Sequence, residues 1–289
     1  MLVAFHSSPQ GFFKSGPPYT TDELIRLVER AARMGFRCFQ IGPTSSFGAI
    51  DGDRLTTVLH KWDMKSNVHV GGLYDAEKFV SQESERARFV KDLHAGVDLS
   101  RKVSSSLVSF HPPLFKSAMP DKDLSSKAKA LFLNLVREEV NFADDLGIKL
   151  ALESFCYHPF IFNNLDDFRE FLSSFPVTQQ LGVLLEVGHL YQAGFNLDLA
   201  IQTFGHRLLD VHVHDATREK DFRKATHLPL GKGSIDFSRV TRTLDKVGYD
   251  GWLTLEIHGN EREIVESRER LENLLRQHQS PEQTVHAND

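Results

Sequence analysis

The fold class this chain predicts is α/β, a (β/α)8 barrel with its active site at the C-terminal ends of the strands, and three observations carry the prediction. Eight short apolar segments alternate with amphipathic ones almost without interruption. The apolar runs are β-branched or Leu-rich, as suits strands buried on both faces of a parallel sheet. Six of them end in a residue type that binds metals: SNVHVG (His69), SLVSFHPP (His111), KLALESF (Glu153), LGVLLEVGH (Glu186, His189), LLDVHVHD (His212) and GWLTLEIHG (Glu256). Carboxylates and imidazoles are expensive to bury unpaired, so their recurrence at strand ends needs a common reason. Strands converging on one mouth supply it.

The elements follow in order. Residues 2–6 (LVAFH) read as the first strand. TTDELIRLVERAARMG is a helix with Thr20 or Thr21 as its cap, Asp22 and Glu23 at its positive end and Gly35 as its stop. FRCFQIG (36–42) is the second strand, and a short segment, GDRLTTVLHKWD, leads to the third at 66–70. Helical spacing of Phe89, Val90, Leu93, Val97 and Leu99 predicts a helix over about 82–104, before strand four at 106–110. SSKAKALFLNLVREEVNFADDLG is a long helix ending at Gly147, strand five is 148–152, and LDDFREFLSSF is a helix capped by Asn164. Strand six (181–185), the helix LDLAIQTFG, strand seven (207–213), the helix IDFSRVTRTLDKVG, strand eight (251–257) and a last helix over about 261–277 complete the pattern. The barrel is therefore expected to occupy 1–277, with a polar, disordered tail at 278–289 and no linker-like block dividing the chain.

A chain of 289 residues is long enough for one such barrel, at 40% hydrophobic and 25% charged residues. The net charge of −5 offers no general attraction to nucleic acid. Cys38 and Cys156 lie inside apolar segments and are expected to be buried thiols. MLVAFHSSPQ lacks the pattern of a signal peptide, and no run reaches the roughly 18 apolar residues of a membrane span, so a cytoplasmic protein is expected.

Three carboxylates and one imidazole (Glu153, Glu186, Glu256 and His212) make an oxygen-rich set suited to Mn²⁺, Mg²⁺ or Co²⁺ and acceptable to Zn²⁺. Three close carboxylates repel, and a divalent cation is the simplest stabiliser. The ordered motifs ALESF, LLEVGH, DVHVHDA, HLPLGKGSIDF and LTLEIHG resemble the xylose-isomerase-like TIM-barrel superfamily over nearly the whole chain. That group includes sugar and sugar-phosphate isomerases and epimerases and endonuclease IV. The resemblance implies one divalent metal on Glu153, Glu186, His212 and Glu256, with Glu153 and Glu256 also the acid/base pair. It implies that His189 and Arg218, six residues after His212, hold substrate oxygens. It also implies a sugar-like small-molecule substrate and a tendency to form homo-oligomers.

This sequence departs from the superfamily pattern at Glu186, where Asp is usual. Positions matching His69 and His111 bind a second zinc in endonuclease IV together with that matching Glu153; substrate hydrogen bonding is the equal alternative here. Positions matching His189 and His227 bind a third there with an Asp, which is Ala225 in this chain, leaving His227 with the substrate-contacting residues. A metal-dependent isomerase or epimerase of a sugar, sugar phosphate or polyol is therefore expected. The alternatives are a zinc phosphoesterase resembling endonuclease IV, a related dehydratase, and a binding barrel without activity. Among weaker candidates, Asp210 and Asp215 are partners for a histidine tautomer, and Gly231-Lys232-Gly233 is either a phosphate-cradling loop or a tight turn. His214 faces the same side as His212. Phe12, Phe13, Phe155, Tyr157, Phe160 and Phe162 are possible cover for a sugar ring, and His158 and His258 lie near the mouth without an assigned role.

Overall fold

A computed structural model describes residues 1–7, 20–42, 47–117, 121–176, 180–219 and 221–279. Eight parallel strands, β1 (Leu2–His6), β2 (Cys38–Ile41), β3 (Lys65–Val70), β4 (Leu107–Phe110), β5 (Lys149–Glu153), β6 (Leu181–Glu186), β7 (Leu208–Val213) and β8 (Trp252–Leu255), form a closed barrel in chain order. Closure runs through β1 and β8, where Ala4 is paired with Thr254 and Phe5 with Leu255. The helices are α1 (Thr21–Arg33), α2 (Gly52–Lys61), α3 (Ala76–Ser81), α4 (Glu83–Lys102), α5 (Lys122–Asp145), α6 (Leu165–Ser173), α7 (Val187–Gln192), α8 (Leu197–Phe204), α9 (Phe222–Ala225), α10 (Phe237–Lys246) and α11 (Glu261–Gln279).

The expected strands are all present, with ends displaced by at most two residues and the first strand matching at both ends. GDRLTTVLHKWD, read as a short lead-in, is helix α2, capped by the Asp51 side chain on the Arg54 N–H. The helix expected over about 82–104 is α4, and a short helix that was not expected, α3, precedes it, set apart by extended backbone at Gln82. Thr20 rather than Thr21 caps α1, in a capping box that Glu23 completes. Helix α7, which the sequence did not announce, starts directly where β6 ends and carries His189. α11 runs two residues into the expected tail, of which 280–289 lie outside the described residues, as do Phe12 and Phe13.

The core lies between the sheet and the helices. Phe89 packs edge-on against Tyr74, Phe79, Phe110 and Phe132, and Phe132 stacks on Phe171 with centroids 5.5 Å apart. These large rings fill the wedge between β4 and helices α3, α4, α5 and α6. Phe162 belongs to this layer, against Phe132, Phe168 and Phe171, and not to the mouth as the sequence suggested. Both cysteines are free and buried. Among the described residues no helix is long and apolar enough to cross a membrane.

Candidate metal centre

Every strand points the same way, so the strand C-termini share one mouth. Glu153 closes β5, Glu186 closes β6, His212 is the penultimate residue of β7 and Glu256 follows β8. His69 holds the matching place in β3, and His111 follows β4. His6, the last residue of β1, joins them; it satisfies the same strand-end criterion and was missed for want of a motif. The rings of His6, His69 and His212 meet edge to face at 5.3–5.6 Å across the barrel.

Two compact donor groups result. In the first, His212 Nδ1 lies 2.9 Å from Glu186 Oε2 and 2.9 Å from Glu256 Oε2. Glu153 offers an atom within 4.8 Å of those of Glu186 and His212. In the second, His111 Nε2 is 2.8 Å from Glu153 Oε2 and 3.1 Å from His69 Nε2, with His69 Nε2 3.7 Å from the same carboxylate oxygen. Glu153 is thus shared by both groups. Ligand atoms at about 2.0–2.2 Å from one ion stand roughly 3 Å apart, which is the spacing seen here. Among the described residues, Glu153 Oε2 and Glu186 Oε1 are buried with only imidazole nitrogens nearby, at 2.8 and 2.7 Å and not aligned as hydrogen bonds, a condition that a cation relieves. The residues fit a divalent ion.

The added reach of Glu186 over an Asp has a structural counterpart. Its Oε2 faces His212 while Oε1 lies 2.7 Å from His214 Nε2. His214 has room because residue 188 is glycine; a Cβ there would sit 1.9 Å from the imidazole. On its other face His214 stacks on His227 at 4.3 Å. His227 has a φ of 55°, a conformation costly for a side chain with a Cβ, and it lets the His227 N–H reach His214 Nδ1 at 2.8 Å. His189, His214 and His227 form a third group of possible donors beside the first two.

The protein's own charges sort these groups. Burial raises Glu153, and the neighbouring His111 only partly offsets it. Burial also acts to raise Glu256, yet His6 and His212 outweigh it and hold that carboxyl well below the usual range. Glu186 is likewise held low, by His214 and His212 against burial. His212 is pushed well above its ordinary value because Glu256 and Glu186 overcome its burial, whereas burial lowers His6 and His227 to about 4. Glu256 keeps 15% of its side chain exposed at the mouth, while Glu153 and Glu186 are closed off at 3% and 0%.

Phe155 stacks on Phe160 with parallel rings 4.0 Å apart and touches both His111 and His189, forming an apolar wall at the mouth. Tyr157 is edge-on to both phenylalanines. His258 stacks on His227 at 4.6 Å. Arg218 is exposed over the Tyr191 ring, in a cavity of about 340 Å³ shared with Phe195, Asn196, Ser234 and Arg239, a set distinct from the residues around the carboxylates. The Gly231-Lys232-Gly233 loop is a turn with its donors committed. The Gly231, Gly233, Ile235 and Ala216 N–H groups all donate to the buried Asp215 carboxylate, which leaves the two glycine amides nothing to offer a phosphate. Asp215 therefore organises this loop, and only its backbone carbonyl, 3.2 Å from His214 Nδ1, meets a histidine ring. Sequence reasoning also missed Gln40, a buried polar residue inside an apolar strand, which lies 2.7 Å from His212 Nε2.

Comparison with known proteins agrees with this architecture. An uncharacterised protein of Methanocaldococcus jannaschii is 31% identical over 150 residues, 48% of this chain and 46% of its own length. An inosose dehydratase of Clostridium botulinum is 26% identical over 141 residues, 44% of this chain and 46% of its own. The chain thus spans about half the length of the curated relatives it matches. The crystal structure of a D-tagatose 3-epimerase-like protein superposes with a TM-score of 0.77 at 22% identity, covering 96% of this chain and 97% of the other, and so shares the fold. Since the sequence profile of the xylose isomerase-like TIM barrel matches residues 28–274, the chain belongs to that family.

Proposed function

We propose that this protein is a metal-dependent isomerase or epimerase of a sugar, sugar phosphate or related polyol. The observation that carries the proposal is the convergence of Glu153, Glu186, His212 and Glu256 from four successive strands on one mouth. A divalent ion held by these four would polarise a substrate carbonyl and stabilise the negative charge that develops on its oxygen. The remaining chemistry falls to the chain's own carboxylates. Glu256, held ionised and partly exposed, is suited to taking a proton from the carbon beside the carbonyl. Glu153, whose burial favours the protonated form, is suited to delivering a proton to the other face. The Phe155–Phe160 wall gives a sugar's apolar face a surface and limits water around the reacting atoms. His189 beneath it, and Arg218 at the rim if it swings inward, are the groups assigned to substrate hydroxyls or phosphate. The similarity to an epimerase-like structure and to an inosose dehydratase supports this substrate class. In a dehydratase the same pair would remove a proton and then assist loss of a neighbouring hydroxyl as water.

The test is a panel of keto-sugars and inososes in deuterated water with added Mn²⁺. Deuterium incorporated next to the carbonyl, and lost in Glu153→Gln and Glu256→Gln, is expected. Near-normal rates in either variant would remove that residue from the acid/base pair. The triad of His69, His111 and Glu153 favours a second reading, a two-zinc phosphoesterase. Hydrolysis of phosphate esters that depends on two zinc ions per chain, one lost with His69→Ala, would establish it over the first.

A further inference from the structure

Beneath the mouth a chain of buried hydrogen bonds links β2, β7 and β8. Asp210 Oδ1 accepts the Val211 N–H and the Thr254 hydroxyl, each at 2.8 Å. Its other oxygen, Oδ2, accepts Gln40 Nε2 at 2.8 Å, and Gln40 Oε1 lies 2.7 Å from His212 Nε2. Gln40, Asp210, His212 and Thr254 are all fully buried, so bulk water cannot stand in for any member.

The donor and acceptor roles along this chain are forced. An ionised carboxylate only accepts, so the amide end facing Asp210 is the NH₂ and the end facing His212 is the carbonyl oxygen. That oxygen can only accept, so His212 Nε2 must carry a proton. Nδ1, flanked by Glu186 and Glu256, is then the nitrogen whose proton a cation would displace, freeing its lone pair. We propose that Gln40, oriented by Asp210, is a positioning residue that fixes the His212 tautomer and thereby presents Nδ1 to a divalent cation. This rests on His212 being a metal ligand and adds which atom binds and what selects it.

Asp210→Asn tests the relay, because it leaves Oδ1 in place and replaces Oδ2 by an NH₂. Gln40 must then turn its carbonyl toward Asn, point its NH₂ at His212 Nε2 and drive the ring proton to Nδ1. Mn²⁺ affinity, followed by the electron paramagnetic resonance of the free ion, is expected to fall about 10- to 100-fold, the usual effect of losing a ligand's hydrogen-bond partner. Gln40→Glu combined with Asp210→Asn swaps the charge and restores an acceptor facing His212, so affinity should return to within a few-fold of the parent. A residue that merely filled space would show no such reversal. Nitrogen-15 NMR of the unaltered protein loaded with Zn²⁺ should show His212 protonated at Nε2, a measurement that does not depend on any variant folding. Unchanged Mn²⁺ affinity in Asp210→Asn, no recovery in the folded double variant, or zinc on Nε2 would each overturn the proposal. If the unaltered protein binds neither Mn²⁺ nor Zn²⁺, the metal-centre reading fails, and the relay's purpose fails with it.

Discussion

His212→Ala offers the sharpest test of the electrostatics at the mouth. With both carboxylates protonation-free and no cation added, His212 is the positive charge that Glu186 and Glu256 share. Its Nδ1 contacts one oxygen of each at 2.9 Å, so these oxygens lie within about 6 Å of one another. Two unit charges at that distance repel by about 3 kcal/mol at an effective dielectric of 20. Removing one partner of a buried ion pair has a similar measured cost, about 3–5 kcal/mol. For a protein of this size, each kcal/mol lowers the melting temperature by about 2 °C, so a loss of about 6–10 °C is expected. The assay is a thermal melt with chelator at pH 8, where neither glutamate can readily escape by protonation. A cavity alone would also lower the melting point, so the second variant matters: adding Glu256→Gln to His212→Ala should return a large part of the loss. If His212→Ala melts within about 1 °C of the parent, or the added Glu256→Gln returns nothing, the charge argument is wrong.

Other expectations follow from the same structure. The metal-depleted protein should lose stability as pH falls from 6.5 to 4, because His6 and His227 are lowered to about 4 by burial and an unfolded chain would protonate them first. Asp210, raised to about 6 by burial, acts in the opposite sense but is outnumbered. Urea midpoints at pH 7.5 and 4.5 decide the matter, and a midpoint that rises on acidification would contradict it. Asp215→Ala strands four backbone N–H groups in a buried loop and should cost about 3 kcal/mol or more. Hydrogen exchange at Gly231, Gly233 and Ile235 should accelerate, and unchanged protection would show that the loop does not depend on the carboxylate. Phe132→Ala, at the centre of the buried ring cluster, should cost about 3–5 kcal/mol by denaturant titration, whereas a loss below 1 kcal/mol would mean the cluster collapses to fill the space.

Much of the barrel was legible in the sequence because strands buried on both faces read as short apolar runs, and helices between them show a different period. The candidate ligand residues stood out for a related reason: a carboxylate or imidazole interrupting an apolar run is costly, and Glu153, Glu186, His212 and Glu256 each do so at the end of one. Helix α2 was hidden by its polar, Thr-rich composition, and α7 by its shortness. His6 lacked a motif, and Gln40 looked like an isolated polar residue in a strand.

By itself, then, the sequence determined the alternation of elements, the residue types at the strand ends and the family pattern they follow. Tertiary structure decided the rest, because it concerns atoms brought together from distant strands. It shows that Glu153 serves two donor groups at once. It gives Glu186 a second histidine, His214, made possible by Gly188. It turns Asp215 onto the glycine loop and joins Gln40 to His212 across 172 residues of chain. Residue spacing sets which side of a strand faces inward, but which atom meets which depends on barrel closure, since only closure sets β1, β2 and β3 facing β7 and β8.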